Sequence, residues 1–551
     1  MKLTQNAQRL LAQRYFINEN DSWDKLCSRL IEKVCIDEEL DFKRKVYSDI
    51  NNCVWLPNSP ALANCGKSKF GAFACFVAGP NEDTLENHLE ALSDIASVAK
   101  MGGGCGFTGT YIRAENSPVA GSAHGYAYGP NKWARSVSAY MDMMTQSGFR
   151  KMALMYTLDG YHPDAEKFLQ LKQSGNERDL YNFNQSLFVT DEWMRKATED
   201  KFSKEYNMLV RLAYNAWNNG EPGLLFSDTI NNNSPYRFSN QHIVCTNPCG
   251  EQPLPQYGAC NLASINLNSD RFMWNGEFNY LSLIEVVYNM TRFMDNIGSV
   301  NVFPNHKFEK WYNENRPIGI GVMGFVDLLL KLGIKYGETE SLILLSKIMS
   351  CIREASYEES ENLGKERGIP DKNKSFHRRN ATTVSIAPTG SIAFITGCSH
   401  GIEPIFSPTY TRIDERGEKY IVEHEKAHEP YFVATVDADN IPSWKEHVDI
   451  QAAAQRYVDS GVSKTINFHE DATVENVFHA FVYAWQSGCK GLTIYRNNSR
   501  QTQVLNSNGH NDLTKVKVSH NQIMCDNCLI PMVTIEGCST CLDCGASICS
   551  I

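Results

Sequence analysis

The sequence predicts an α/β protein with a large apolar core, and three observations predict it. Segments with apolar residues at helical spacing recur along the chain between short β-branched or apolar runs bounded by turn residues. The chain has 551 residues and is 42% hydrophobic, which suits a large core and argues against disorder. Length alone suggests roughly three to four domains, or fewer large ones. No charge-free apolar run approaches the ~18 residues of a membrane span.

Residues 1–55 read as helical: Leu10, Leu11 and Phe16, then Leu26, Leu30, Ile31 and Val34, fall at helical spacing among charged residues. Met1–Phe16 mixes Lys2, Gln5, Asn6 and Arg9 into its apolar residues, so no signal peptide and a cytoplasmic location are expected. Phe73–Val77 reads as a short buried strand. Leu85–Lys100 reads as a helix stopped by Gly102-Gly103-Gly104. A helix follows over Arg135–Gln146, then a strand and turn over Asn182–Asp191. Tyr206–Asn219 is a helix closed by Gly220, and Ile284–Ile297, Val322–Leu332 and Ser341–Leu363 are helical by period. Ala381–Ala387 reads as a strand entering the turn Pro388-Thr389-Gly390-Ser391-Ile392, whose backbone N–H groups and hydroxyls suit a phosphate. Thr473–Ser487 is an amphipathic helix and Gly491–Arg496 the last apolar strand of the body. A body over 56–500 thus follows the helical segment. Residues 501–520, rich in Asn, Ser, Gln and Gly, form a linker to a cysteine-rich tail over 521–551.

Net charge is -10 and pI about 5.8, which disfavours duplex nucleic acid as a partner but permits an anionic small-molecule site. Eighteen cysteines in a long chain without a secretory signal point to metal or redox chemistry. In the tail, Cys525-x-x-Cys528 and Cys538-x-x-Cys541 are two knuckles that can supply four thiolates to tetrahedral zinc. Cys544 and Cys549 remain, and Cys544 is an alternative to Cys541 as the fourth ligand.

The sharpest segment is Asn247-Pro248-Cys249-Gly250-Glu251-Gln252-Pro253-Leu254, with Cys260 nine residues after Glu251. Proline and glycine flank Cys249, so it sits on a turn-rich loop. A carboxylate two residues on and an amide two residues back present one sulfur beside an acid/base and a hydrogen-bond partner. On spacing alone, a buried thiol in a turn is an equal alternative.

This string, followed by Gly258-Ala259-Cys260-Asn261-Leu262-Ala263-Ser264-Ile265-Asn266, resembles the finger loop of ribonucleotide reductase catalytic subunits. The resemblance implies a ten-stranded α/β barrel with Cys249 on a loop inside it, plus a small C-terminal zinc ribbon. It implies that Cys249 carries a thiyl radical, that Glu251 is the general base and that Asn247 holds the substrate. Cys75, in Ala74-Cys75-Phe76-Val77, and Cys260, 185 positions away, would be the reducing dithiol. Substrate contacts are implied at Ser59, Ala74 and Gly104. Pro388, Thr389, Gly390, Ser391 and Ile392 would cradle the diphosphate. The stretch Gly148–Ala153 lies where relatives link a nucleotide specificity effector to the substrate base, and it departs from their pattern at Lys151 and Met152. Cys544 and Cys549 would form a shuttle pair recharged by a thioredoxin-like reductant.

Cys489–Arg496 resembles the adenosylcobalamin-dependent (class II) reductases in particular. Reductases that import a radical from a second subunit relay it through adjacent tyrosines, and the sequence has no Tyr-Tyr pair. The implied activity is conversion of ribonucleoside di- or triphosphates to 2′-deoxyribonucleotides, with adenosylcobalamin as cofactor and structural zinc in the tail. A homodimer is implied, and residues 1–55 leave no room for an ATP-binding cone. Two alternatives stand beside this reading. One is the large subunit of a two-subunit (class I) enzyme. The other is a zinc-ribbon protein that binds nucleic acid, against which Gln522–Ile551 contains no Lys, Arg or aromatic residue.

Overall fold

In the computed structural model the chain is described over residues 3–549, except 67–69, 122–123, 146–151, 173–179, 181–182, 406–408, 414–418, 424–442, 498, 500–504, 508–522, 524, 526–527, 529–531 and 543. One sheet of ten strands carries the molecule. In chain order they are β1 (Trp55–Pro57), β2 (Cys75–Val77), β3 (Gly104–Thr108), β4 (Leu154–Asp159), β5 (Phe183–Val189), β6 (Gly223–Phe226), β7 (Ala259–Asn266), β8 (Ile318–Met323), β9 (Thr465–Phe468) and β10 (Gly491–Arg496). Every residue of β7 and β8 is buried, as expected of strands with side chains packed on both faces.

Strands β2 to β6 run parallel to one another. So do β7 with β8 and β9 with β10. The gap between β8 and β9 is bridged by residues 382–387. Ile320 pairs with Val384 and Ile386 with Val462, both in parallel sense. Backbone bonds from Ser385 N to Ile320 O (3.0 Å) and from Ser463 N to Ile386 O (2.8 Å) continue the ladder. The ring therefore closes as two parallel halves of five strands each, with 382–387 as one member of the second half and β1 beside β7. The halves meet at two antiparallel seams, β2 against β7 and β6 against β10. The expected strand over Ala381–Ala387 is thus present only as single bridges. The expected helix at Val322–Leu332 is corrected: Val322 and Met323 finish β8, and the helix Phe325–Leu332 begins after Gly324, whose φ of +74° breaks the strand.

Helices cover the outside. Leu85–Lys100 is capped by Thr84, whose hydroxyl accepts from Asn87 N, and Lys204–Asn219 ends at Gly220 with φ +83°. Val474–Gln486 starts with a capping box of Thr473 and Asn476. The main apolar core lies between these helices and the sheet. A second, smaller cluster, including Cys75, Val77, Met155, Cys245, Cys260 and Leu262, gathers separately. Asp295, fully buried on the helix Tyr280–Val300, binds Arg316, Arg367 and Arg379 at 2.8–3.0 Å. Burial alone would raise its carboxyl, but Arg316 and Arg379 outweigh that and hold it at about 2.

The tail forms a three-stranded antiparallel ribbon of β11 (Val533–Ile535), β12 (Cys538–Thr540) and β13 (Ser547–Cys549). It rests on the body: Tyr206 Oη donates to Ile535 O at 3.3 Å, Glu536 N donates to Glu475 at 2.9 Å, and Lys201 pairs with Glu536. Of the expected linker, Leu505–Ser507 pairs with Thr409–Ile413, and 501–504 and 508–520 lie outside the described residues. Among the described residues no helix is long and apolar enough to cross a membrane.

Candidate active site

The loop between β6 and β7 carries the Asn247–Leu254 string into the barrel. Its base is pinched by a bridge between Thr246 and Pro253 and by Asn247 N donating to Gln252 O at 3.0 Å. Gly250 takes φ +79° at the turn. Surrounding strands hold the loop directly: Thr157 Oγ1 donates to Val244 O (2.9 Å) and Asn184 Nδ2 to Pro248 O (2.8 Å). At Gly106 on β3 the approach is so close that a Cβ would lie 1.7 Å from Thr246 O. Only glycine admits the loop there.

Cys75 and Cys260, distant in sequence, are direct partners in the β2/β7 register, so the first antiparallel seam brings them together. Residues opposite each other on antiparallel strands lie within the Cα range of a disulfide. Both thiols are buried, and burial, reinforced by the charge of Glu251, holds both well above the ordinary cysteine range. Asn247 Nδ2 donates to Cys75 Sγ at 3.1 Å, and the Cys75 thiol faces Glu251 Oε1 at 3.7 Å. Asn247 is itself oriented, its Oδ1 accepting from Gln252 N at 2.9 Å. Glu251 is 2% exposed, and its Oε2 has no hydrogen-bond partner. Burial pushes its carboxyl up to about 7, against the opposing effect of Asn247. A half-protonated carboxyl with one open oxygen is suited to moving a proton at neutral pH. Cys249, in contrast to the dithiol, is exposed.

Of the expected substrate positions, Gly104 is placed directly against the loop. Ser59 begins a short helix and accepts a 3.0 Å bond from Tyr15 Oη. Gly104 N donates to Ala74 O at 2.8 Å, and a Cβ on Gly104 would touch the Pro248 ring at 2.9 Å. Thr389 is buried at φ +54°, an uncommon conformation for a β-branched residue, with its hydroxyl accepting from Gly401 N at 2.9 Å. Pro388 is exposed, and Gly390 and Ser391 are half-buried in the turn before Ile392. Residues 148–151 of the expected effector stretch lie outside the described residues.

The tail departs from expectation. The sulfurs of Cys525, Cys528, Cys541 and Cys544 all lie within 4.8 Å of one another, with Cys525 and Cys544 at 3.5 Å. This set replaces the expected Cys525, Cys528, Cys538 and Cys541. The reason is local. Cys541 and Cys544 are also a Cys-x-x-Cys pair, and their turn is closed by Gly545 N to Cys541 O (3.0 Å) and Cys541 N to Ala546 O (2.7 Å). Cys538 instead opens strand β12 and is disulfide-bonded, with Cys549 opposite it in the β12/β13 register. Cys544 therefore belongs with the cluster, and the expected Cys544–Cys549 pair is corrected.

Comparison with known proteins gives the family of the barrel. A family model described as "Ribonucleotide reductase, barrel domain" matches residues 73–207, 203–378 and 371–495. The chain belongs to the ribonucleotide reductase barrel family. It is 36% identical over 503 residues to the vitamin B12-dependent ribonucleoside-diphosphate reductase of Thermoplasma acidophilum, covering 82% of this chain and 64% of that protein. It is 32% identical over 567 residues to the protein of the same description from Mycobacterium tuberculosis, covering 92% and 79%. The class Id ribonucleotide reductase alpha subunit of Actinobacillus ureae has a similar fold, with a TM-score of 0.77 at 20% identity over 90% of this chain and 97% of that one. The chain thus spans about two thirds of the length of the Thermoplasma relative.

Within this reductase barrel, two residues at the loop escaped sequence reasoning. Ser385 Oγ donates to Glu251 O at 3.0 Å, and Gly461 N donates to the same carbonyl at 2.7 Å. Ser385 sits in the noted β-branched run, but nothing in its type marks it. Gly461 lies in an unremarked loop, and only the closed ring brings it to residue 251.

Proposed function

We propose that this chain is an adenosylcobalamin-dependent reductase that converts a ribonucleoside diphosphate to the 2′-deoxyribonucleotide. One observation carries the reading: Asn247, Cys249 and Glu251 sit on a loop threaded into the barrel beside the cross-strand pair Cys75–Cys260. The descriptions of the relatives support the cofactor and the diphosphate. The tip of the loop suits a large cofactor, because Cys249 is exposed and a Cβ on Gly250 would meet nothing within 4 Å. Adenosylcobalamin, when bound, supplies the radical that leaves Cys249 as a thiyl.

The chain's own residues do the rest. The Cys249 thiyl takes the 3′-hydrogen of the ribose. Glu251 accepts the 3′-hydroxyl proton through its open Oε2, while Asn247 orients the sugar edge. The 2′-hydroxyl leaves as water. The Cys75–Cys260 dithiol supplies the two electrons and protons for that loss and ends as a disulfide. Cys249 then returns its hydrogen to C3′, and Glu251 returns its proton to O3′. Ser59, Ala74, Gly104 and the turn Pro388, Thr389, Gly390, Ser391 and Ile392 hold the nucleotide, with its phosphates on the turn.

In the tail, Cys525, Cys528, Cys541 and Cys544 hold zinc, whose ~2.3 Å bonds to sulfur match so tight a cluster. With Cys544 so engaged, Cys538 and Cys549 form the terminal pair that a thioredoxin-like protein recharges. A second copy of the chain meets the exposed Leu85, Leu89, Tyr140 and Met143 of two packed helices.

The test is reduction of CDP and CTP by the purified chain alone with dithiothreitol, with and without adenosylcobalamin. Cobalamin-dependent dCDP is expected. Product only when a metal-containing second protein is added would overturn the cofactor assignment, and no product under any condition would overturn the activity.

A further inference from the structure

Lys490 immediately precedes β10 at the second antiparallel seam. Its backbone carbonyl accepts from Phe226 N of β6 at 2.9 Å. Its side chain turns elsewhere. The residue is 4% exposed, and its Nζ donates to Asp459 O at 2.5 Å and Ser460 O at 2.7 Å. Among the described residues no carboxylate oxygen forms an ion pair with it. A buried ammonium resting on two carbonyls is costly, and the seam itself needs only the backbone of residue 490. Burial draws its pKa down from 10.5 to about 8, with the charge of Asp459 opposing the shift.

The two carbonyls belong to a short loop packed behind Glu251. Asp459 Oδ2 accepts from Thr383 N (2.7 Å) and Val384 N (3.2 Å), and Ser460 N donates to Val384 O (3.2 Å). Ser460 O and Gly461 N are the two ends of one peptide group. Lys490 Nζ binds the oxygen end, and the N–H end donates to Glu251 O at 2.7 Å. A cation on the carbonyl polarises that peptide and strengthens the bond its N–H makes. Gly461 also lies against the finger loop: a Cβ there would meet Gly250 O at 2.5 Å and Glu251 Cα at 3.1 Å.

We propose that Lys490 is a positioning residue for the general base, fixing the backbone of Glu251 through the Ser460–Gly461 peptide. This rests on the reading of Glu251 as the base. The charge reaches Glu251 from the seam opposite the dithiol, so the base is held between the two seams.

The experiment compares the full chain with Lys490→Met, Lys490→Gln and Gly461→Ala in cobalamin-dependent CDP reduction. Wild-type turnover tests the underlying reading, and the variants test the proposal against it. Lys490→Met is expected to lower kcat by about 10²-fold, the cost of an ångström-scale displacement at a reacting group. KM for CDP should stay within about threefold, because the phosphate turn is untouched. Lys490→Gln keeps N–H donors for the carbonyls and should recover part of kcat. Gly461→Ala, which places a methyl group on Gly250 and Glu251 without a positive φ to strain, should reproduce the kcat loss with lysine present. Wild-type kcat in Lys490→Met or in Gly461→Ala overturns the proposal. So does a loss of kcat matched by an equal loss of CDP affinity, which marks a general structural role. If Lys490→Met does not fold, the Gln and Ala variants decide by the same criteria.

Discussion

Replacing Glu251 by Gln tests the chemistry at its centre. The carboxyl is 2% exposed and its pKa stands at about 7 instead of 4.5. At about 1.4 kcal/mol per pKa unit, its surroundings disfavour the charge by roughly 3.5 kcal/mol net. As a base it must be ionised, so kcat/KM for CDP should rise with pH, reaching half its plateau near 7 and climbing about tenfold between roughly pH 6 and 8. Gln keeps the shape and cannot take a proton. The variant should lose about 10²- to 10⁴-fold in kcat and lose the acid limb altogether. Stability moves in the opposite sense. The folded pKa lies above the unfolded value, so the wild type binds more protons when folded between about pH 4.3 and 7. Its stability is therefore greatest at the acid end of that window and falls by up to about 3.5 kcal/mol across it, and the Gln variant should lack this slope. The assay is steady-state CDP reduction with dithiothreitol across that range, paired with urea denaturation at the same pH values. A flat wild-type profile between about pH 6 and 8, or an acid limb persisting in the Gln variant, would refute the role of Glu251.

Other outcomes follow from the same geometry. Gly106→Ala should cost at least about 10²-fold in kcat and roughly 1–3 kcal/mol in stability, since its methyl would occupy the place of Thr246 O; urea midpoints and turnover measure both. Asp295→Asn should destabilise by about 3–5 kcal/mol at neutral pH by leaving three arginines without their buried partner. Because the Asp295 pKa is depressed to about 2, its contribution is present above the unfolded value near 4 and is lost as pH falls through about 2, which acid-denaturation curves of both proteins will show. Cys544→Ser should remove bound zinc measured by mass spectrometry of the ashed protein, while Cys538→Ser should keep the zinc and block cycling with thioredoxin but not with dithiothreitol.

Much of the candidate site was legible because it is local. Asn247, Cys249 and Glu251 share one eight-residue string, and a long match there outweighs any periodicity argument. The likeness also pointed to Cys75 and Cys260 as a pair, although only the β2/β7 register places them opposite each other. Regular helices were legible where a cap or stop signal accompanied the period, as at Leu85–Lys100 and Tyr206–Gly220. Ile318–Met323 was not, because a strand buried on both faces shows no alternation and runs straight into an apolar helix. In the tail, Cys538, Cys541 and Cys544 are evenly spaced, so two overlapping knuckles fit the same pattern. The choice between them depends on which cysteine the ribbon takes into a strand, a tertiary matter. Lys490 and Gly461 were invisible as site residues for a similar reason, since their link to Glu251 exists only once the ring has closed.

The placement of the dithiol at the joint between the two parallel halves carries one more consequence. Cys75 belongs to one half and Cys260 to the other. On the proposed function each turnover oxidises the pair, which would weld the halves together and close a loop of 185 residues in the unfolded chain, worth roughly 5 kcal/mol by loop entropy. The spent enzyme is then the more durable form and the charged enzyme the more fragile one. Heat resistance becomes a gauge of redox state, rising as reductant runs short and falling back when electrons return.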